Sequence, residues 1–453
     1  MDLFTAFFDR EVIDVLVNYT NTYASQHNKN NTVSDDEFLC FIGVLILSGY
    51  MPVNRRRMCW ENSADTKNTL VCEAISRDRF QYIMSNLHCN DNTLLNVNDK
   101  FSKMRPLFDA LNERFRIFAP EQEDHSVDEA MVPYSGRHGC KKFIRGKPIR
   151  WGYKVWAGTT RLGYILWFDP YQGSSATLCD KYKDMGLGAS VVLQYDDVLT
   201  KSGYRPYHIY FDNFFTSFSL LVALQERGIK GTGTIRENRI PSDPLENSKT
   251  MKKRIRGSMC YKVGNGKVLL CKWRDNSVTA VATNSLPITP LNKVKRYSRS
   301  EHKHIYVDQP HVIKKHNENM EGVDRSDQNI GLHRIAIRGK KWYFPLFCHA
   351  IDMAIQNAWQ LHRLNNGKLD QLSCRRSIAT NILETYKKTA RRGPSKPPNN
   401  EHQFSRYDRL DHLVEYQNKQ TRCRVCHKNS FFRCKKCEVA LHPKDCFVFY
   451  HTP

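Results

Sequence analysis

Three aspartates stand in segments far apart in the chain but in similar local settings. The segments are Ser126-Val127-Asp128-Glu129, Ile209-Tyr210-Phe211-Asp212-Asn213 and Gly322-Val323-Asp324-Arg325-Ser326-Asp327. Asp128 and Asp212 follow apolar, strand-forming residues, which sets each at a strand end among buried neighbours. Asp324 and Asp327 are three residues apart and fall on one face of a helix. Carboxylates converging from distant segments are how a fold holds hard divalent cations such as Mg²⁺ or Mn²⁺, which take oxygen ligands and keep positions open for a substrate phosphate. Two such ions about 3.5–4 Å apart stabilise both the attacking and the leaving oxygen of an in-line displacement. Most aspartates are cap or turn residues, and Asp324 taken singly reads that way. Asp212 is harder to read that way, because Phe-Asp-Asn-Phe-Phe sets a charge inside an aromatic strand end, where it needs a partner.

A second chemistry is written into the last 31 residues, which hold five of the 15 cysteines. Cys423-x2-Cys426 and Cys434-x2-Cys437 are followed by His442, Cys446 and His451. Paired thiolates at this spacing reach one tetrahedral Zn²⁺, and so short a segment cannot build a core without such a staple. Seven ligands stand clear, with His427 close by. Arg422, Arg424, Lys428, Arg433, Lys435 and Lys436 among these ligands point to recognition of DNA ends, with a protein-binding finger as the competing reading. The ten scattered cysteines read as small buried hydrophobes, and their irregular spacing places the chain in a reducing compartment.

Cations crowd behind the first aspartate: Arg137, His138, Lys141, Lys142, Arg145, Lys147 and Arg150. A loop of this kind beside a metal site can hold the phosphates of a cleaved strand. Arg338-Gly339-Lys340-Lys341-Trp342 offers Lys340 and Lys341 to phosphate and Trp342 for stacking. The run 252–256 reads mainly as solvated charge and also as a nuclear import signal, so the nucleus is the expected location. Arg55-Arg56-Arg57 reads equally as a phosphate contact or as a solvated loop. Over the whole chain, 69 Lys plus Arg stand against 46 Asp plus Glu, a net +23 that favours a polyanionic partner. No Walker loop, no Gly-x-Gly-x-x-Gly after a strand and no Gly-x-Ser-x-Gly is present, which argues against nucleotide, dinucleotide and serine-hydrolase chemistry. The N-terminus lacks the pattern of a signal peptide, and the longest apolar run, Phe38 to Met51, is too short and Gly-interrupted to span a bilayer, so no membrane partner is expected.

The elements that must position these groups divide into three textures. Residues 1–120 carry helical apolar spacing, with Phe38, Phe41, Ile42, Leu45 and Leu47 following a capping Ser34. From about 124 the order is β-β-β-α-β-α-β, including a hairpin turning at Thr159–Gly163, a helix over 186–201, a strand over Tyr207–Phe211, a helix over Thr216–Glu226 and a strand over Ile229–Ile235. Residues 237–310 read as an inserted subdomain with a β pair at Met259–Val263 and Val268–Trp273. Helices return after 328, with Leu346, Ile351, Ile355 and Trp359 spaced for a buried face, and a Pro- and Arg-rich linker spans 391–400.

At the acidic segments the chain resembles piggyBac-type transposases and their domesticated relatives. The matching stretches are Val127-Asp128-Glu129-Ala130-Met131-Val132-Pro133-Tyr134-Ser135-Gly136-Arg137, Lys147-Pro148-Ile149-Arg150-Trp151-Gly152-Tyr153-Lys154, Phe211-Asp212-Asn213-Phe214-Phe215-Thr216-Ser217, Gly231-Thr232-Gly233-Thr234-Ile235-Arg236 and Gly322-Val323-Asp324-Arg325-Ser326-Asp327. The resemblance implies a mixed α/β fold: an RNase H-like catalytic domain with a β-rich insertion, flanked by α-helical dimerisation and DNA-binding segments, with a small C-terminal zinc-binding module. The corresponding boundaries are 1–123 helical, 124–236 catalytic, 237–310 insertion, 311–331 catalytic, 332–400 helical and 417–453 zinc-binding. It implies Asp128, Asp212 and Asp324 as the catalytic, Mg²⁺-holding residues with Asp327 as a further acidic residue, and two cross-braced zinc ions, so that His427 or another group completes an eighth position or one site keeps a position open. It implies cut-and-paste transposition by a homodimer acting on double-stranded DNA, with strand transfer into TTAA targets. The alternative is a domesticated DNA-binding or chromatin protein that keeps the fold without the reaction; a general structure-specific nuclease would share the site without a TTAA preference. Fuller members of the family begin with a long acidic leader, whereas Met1 here stands almost at the first helix, so a longer product is an open alternative.

Overall fold

The computed structural model describes residues 2–29, 31–173, 180–201, 203, 206–240, 243–264, 267–299, 301–387 and 405–452; the expected linker over 391–400 lies outside them. The chain divides into two units, Met1–Ala390 and Arg391–Pro453.

In the larger unit, the most apolar stretch begins with its own start signal. The Ser34 hydroxyl accepts from the Glu37 amide while the Glu37 carboxylate accepts from the Ser34 amide, a reciprocal cap that fixes the start of α3 (Asp35–Ser48). Every residue of α3 from Phe38 onward is buried. Around it lie α1 (Asp2–Thr5), α2 (Arg10–Gln26), α4 (Thr69–Ala74), α5 (Arg77–Asn86) and α6 (Arg105–Ile117). Two helices from the far end of the unit, α12 (Phe344–Leu364) and α13 (Gln371–Thr385), share the same core. Gly43 of α3 gives Leu383 of α13 its seat, since a Cβ there would stand 2.9 Å from that side chain. Asn357 of α12 brackets Ile165, donating to its carbonyl at 2.8 Å and accepting from its amide at 2.7 Å, which locks this helical layer to the sheet.

The sheet is built from β1 (Asp124–Pro133), β2 (Lys141–Phe143), β3 (Trp151–Thr160), β4 (Ile165–Pro170), β5 (His208–Phe211) and β6 (Lys230–Thr234), with α7 (Leu187–Thr200) and α8 (Phe218–Glu226) as crossovers. Central β1 is antiparallel to β3 and parallel to β5, and β5 is parallel to β6. Asp128 therefore lies within a strand and not at its end, which the sequence did not anticipate. Helix α8 starts two residues later than expected, because the Ser217 hydroxyl accepts from the Leu220 amide and caps it.

The following segment carries α9 (Ser248–Met251), β7 (Met259–Val263), β8 (Leu269–Arg274), β9 (Val278–Thr283), β10 (Asn292–Ser298) and β11 (Lys303–Gln309). It has its own small core around Trp273, Val281 and Val307. It is nonetheless continuous with the main sheet: β9 pairs with the outer edge of β6, Thr232 opposite Thr283, giving the order β2-β3-β1-β5-β6-β9-β8-β7 with β4 also on β3. That pairing removes the unpaired amides that an open β6 edge would leave. Helices α10 (His311–Asn319) and α11 (Gly322–Leu332) then return the chain to the central strands.

The smaller unit has a hairpin, β12 (Val414–Arg422) with β13 (Asn429–Cys434), and a terminal helix, α14 (Asp445–His451). Its core is little more than Cys423, Cys434 and Leu441. Among the described residues no helix is long and apolar enough to cross a membrane.

Candidate active site and metal-binding clusters

Strand register does most of the positioning. Val127 of β1 pairs with Phe211 of β5 in parallel, so the residues that follow them, Asp128 within β1 and Asp212 just past β5, stand side by side on backbones about 4.8 Å apart. Asp128 is buried within β1 opposite Ala157 of β3. The Asp212 carboxylate accepts from the Phe214 amide at 2.7 Å, and that amide is the partner the aromatic strand end demanded. The third segment arrives by helix packing. Gly322 opens α11 flat against β1 and β3, where a Cβ would meet the Thr160 carbonyl oxygen at 2.4 Å and Ser126 Oγ at 2.5 Å. Val323 is buried with Ala130 and Ala157. Asp324, the next residue, is thereby carried to the rim of the same site. Asp327 turns to the backbone and accepts from the Met131 amide at 3.3 Å. Leaving such an amide unpaired would cost about 1–3 kcal/mol, so Asp327 stitches α11 to the strand that carries Asp128.

One cation lies inside the acidic group. The Lys147 ammonium stands 3.4 Å from Asp128 Oδ2, 3.2 Å from Asp324 Oδ1 and 3.2 Å from the Glu129 carbonyl oxygen. Burial pushes the Asp128 carboxyl up to about 7; Lys147 opposes this, and the charges of Glu129 and Asp212 add to it. Burial also raises Asp212, against the pull of the Phe214 amide. Asp327 is pushed up to about 6 by burial despite the nearby Arg334. A second lysine, Lys154, sits 3.7 Å from Glu129 Oε2 and 3.9 Å from the centre of the Trp156 ring, and burial depresses its pKa. Lys147 belongs to the basic run read from the sequence and Lys154 follows it on β3; that they face carboxylates is not legible there, because it depends on the path of the β2–β3 connection for Lys147 and on which side of β3 Lys154 falls.

The other cations separate into two groups. Arg137, Arg145, Arg150 and Lys340 are exposed. Lys141 donates to the Ser135 and Gly136 carbonyls and lies 4.9 Å over Trp151; Lys142 lies 5.5 Å over Tyr171. Phe143 and Trp151, both about half exposed at 50% and 54%, lie 4.9 Å apart between these cations. Lys341 is placed differently from the expectation: its ammonium donates to the Leu87 carbonyl at 2.8 Å, and burial lowers its pKa to about 8.

Residues 1–359 match the family described as Transposase IS4. Over 452 residues the chain is 48% identical to human PiggyBac transposable element-derived protein 3, covering all of this chain and 76% of that protein. It is 43% identical over 453 residues to human PiggyBac transposable element-derived protein 2, covering 99% of this chain and 76% of that one. The chain belongs to the piggyBac transposase family. In fold it is similar to a piggyBac transposase solved as a synaptic complex with hairpin DNA, with a TM-score of 0.71 at 19% identity over 97% of this chain and 94% of that one.

This piggyBac family member also carries two compact Cys/His groups in its smaller unit. Cys423, Cys426, His442 and Cys446 form one, and His412, Cys434, Cys437 and His451 the other, with ligand atoms within 4.8 Å of one another in each. The ligands alternate along the chain between the two groups, so the sites are interleaved. The residue that stands with the second group where an eighth candidate ligand was expected is His412, five residues before the expected boundary at 417; His427 instead takes a left-handed turn (φ +61°) and its amide donates to the Cys423 carbonyl. His412 Nδ1 lies 3.4 Å from Cys434 Sγ and 3.5 Å from Cys437 Sγ, and His442 Nδ1 lies 3.3 Å from Cys426 Sγ. These lie close to the edge of about 3.5 Å expected for a tetrahedron with metal–nitrogen and metal–sulfur bonds of about 2.0 and 2.3 Å. The second nitrogen of each ring is engaged elsewhere: His412 Nε2 by Asp408 at 3.1 Å, His442 Nε2 by the Asn429 carbonyl at 3.2 Å and His451 Nδ1 by the Arg406 carbonyl at 3.0 Å. His451 Nε2 is left buried with no hydrogen-bond partner, as a ligand nitrogen would be. Burial and crowding with neighbouring thiols push Cys437 up to about 12 and Cys446 up to about 11, a repulsion that a bound cation would relieve.

Proposed function

We propose that this chain is a piggyBac-type DNA transposase that cuts DNA at element ends and joins it into TTAA sites by metal-dependent phosphoryl transfer. The observation that carries this reading is the convergence of three distant segments: the β1–β5 register sets Asp128 beside Asp212, and the Lys147 ammonium bridges Asp128 to Asp324. The donor set is oxygen only, the two inner carboxyls are pushed up by burial, and a cation is already drawn between the first and third. Such a site fits Mg²⁺ or Mn²⁺. When bound, a pair of these ions stabilises the attacking and leaving oxygens of an in-line displacement at phosphorus.

The chain's own residues supply position. Gly322 and Asp327 fix α11, and with it Asp324, against β1. The exposed Arg137, Arg145, Arg150 and Lys340, with Lys141 and Lys142 beside the Phe143–Trp151 pair, form the surface that grips strand phosphates next to the carboxylates. The antiparallel β4-β3-β1 ribbon continuing into parallel β5 and β6 supports reading the core as RNase H-like. The outer helices, α1–α6 with α12 and α13, serve dimerisation and DNA binding in a nuclear homodimer. In the smaller unit, two Zn²⁺ ions fit the interleaved Cys/His groups, and the unit reads element ends.

The test is cleavage of duplexes carrying candidate element ends flanked by TTAA, with and without Mg²⁺, by the wild-type chain and Asp212→Asn. Wild-type cleavage that needs Mg²⁺ and falls on the order of a hundredfold or more in the variant, with binding retained, is expected. Unchanged cleavage by the variant removes the metal-site assignment. Tight binding with no cleavage by either protein identifies a DNA-binding protein that keeps the fold without the reaction.

A further inference from the structure

The basic stretch around Lys147 suggests a lysine at a DNA phosphate, yet its ammonium directs all three of its donors into the carboxylate cluster: Asp128 Oδ2, Asp324 Oδ1 and the Glu129 carbonyl oxygen. We infer that Lys147 is a built-in counter-cation, holding the divalent-metal seat of the DNA-free chain and exchanged out of it when metal binds. The inference rests on the reading of Asp128, Asp212 and Asp324 as metal ligands and concerns what competes with the metal for them.

Three features support an exchange over a fixed structural pair. The two bridged carboxylates differ in setting, Asp128 buried and the Asp324 side chain 64% exposed, so the ammonium spans from the floor of the site to its rim, where an incoming ion must lie. Helix packing through Gly322, Val323 and Asp327 brings the Asp324 backbone to the site, but none of those contacts involves its carboxylate, which Lys147 alone ties to Asp128 among the described residues. Without a cation between them the two carboxylates repel. Lys147 also rides on a short connection between β2 and β3, following Gly146 at φ +96° and preceding Pro148, while both flanking strands stay paired. The connection can shift and withdraw the ammonium without breaking a ladder. Its neighbours Arg145 and Arg150 are exposed. An ammonium released from the carboxylates is therefore delivered to the same surface that grips phosphate, so metal loading and strand binding are coupled through one side chain.

The test needs no turnover. Mn²⁺ is titrated into the DNA-free, full-length chain and free Mn²⁺ is followed by its electron paramagnetic resonance signal, with Asp212→Asn as the baseline for ions held elsewhere. Lys147→Met keeps the length of the stem without the charge and should bind Mn²⁺ on the order of tenfold more tightly than wild type, the low end of what an adjacent unit charge does to an ionic equilibrium. Lys147→Arg, which keeps the charge, should stay near the wild-type value. Binding seen only in Lys147→Met supports the exchange equally. Equal or weaker binding by Lys147→Met overturns it and leaves the metal reading standing. No binding above the Asp212→Asn baseline by any variant overturns the metal reading and the exchange with it. A second measurement on the wild-type chain guards against misfolded variants: Mn²⁺ should raise amine-directed acetylation of Lys147 several-fold by peptide mass spectrometry, and unchanged labelling in a chain that binds Mn²⁺ overturns the exchange.

Discussion

At the scale of single residues, the histidines of the smaller unit carry the most specific chemistry. A metal-ligating imidazole needs its second nitrogen fixed, because that bond selects the tautomer and aims the ligand nitrogen. His412, His442 and His451 each meet this condition through a different partner: a carboxylate, a carbonyl of β13 and the Arg406 carbonyl. His412 therefore joins the candidate ligand set on the same footing as the cysteines. Metal analysis of the full-length chain after exhaustive dialysis should give about two zinc ions per chain, and His412→Ala about one, since three donors hold a structural zinc far less well than four. Retention of both ions by the variant would remove His412 from the set. Seven of the eight candidate ligands were legible because they crowd into one short segment, four of them as local Cys-x2-Cys pairs. His412 was not, because it comes 11 residues before Cys423 and reaches Cys434 only through the pairing of Val414 with Cys434 across the β12–β13 hairpin.

At the scale of elements, what was legible followed from local signals and what was missed followed from long-range pairing. The cap at Ser34, the β3–β4 hairpin and the strand ending at Asp212 are each written within a few residues. Strand β2 is three residues long, Lys141-Lys142-Phe143, too short for any period to show. The continuity of the inserted segment with the main sheet depends on Thr232 meeting Thr283, which no local pattern announces. The site divides in the same way: the three aspartates were visible as residues, but their convergence needed the β1–β5 register and the Gly322 packing. Strand β2 lies at the edge of the sheet, and the segments on either side of it carry Arg137, Arg145 and Arg150, all exposed. Removing Arg137, Arg145 and Arg150 together should flatten the dependence of log affinity for DNA on log salt by roughly 0.9 for each phosphate that is no longer neutralised. Measured by fluorescence anisotropy across a salt series, a slope reduction of about two or more is expected for the three arginines. An unchanged slope with weaker binding would mean that these arginines shape the site without touching phosphate.

At the scale of the whole molecule, acid sensitivity comes from imidazoles folded in uncharged. Burial lowers His125 to about 4 and His208 and His349 to about 3. A group whose folded pKa lies below its unfolded value of about 6.5 contributes stability that is complete above about pH 6.5 and is lost as pH falls toward the folded value, because the unfolded chain takes up the proton first. Carboxyls raised by burial act in the opposite sense: Asp169 and Asp196, both pushed up to about 6, keep protons in the folded state that the unfolded chain has released. The net curve mixes both, so the decisive quantity is a difference between two chains that share every group but one. His349 lies on α12, 5% exposed, with Nδ1 lacking a hydrogen-bond partner, which makes it the cleanest to remove. His349→Leu should gain on the wild type as pH drops from about 7.5 to about 4.5, by about 1.4 kcal/mol per pH unit below about 6.5 at most and about 2 kcal/mol in all after allowance for relaxation. Denaturant unfolding of the larger unit at the two pH values measures it. Curves that stay parallel would show that His349 takes its proton in the folded chain as readily as in the unfolded one, and that α12 admits water at that turn.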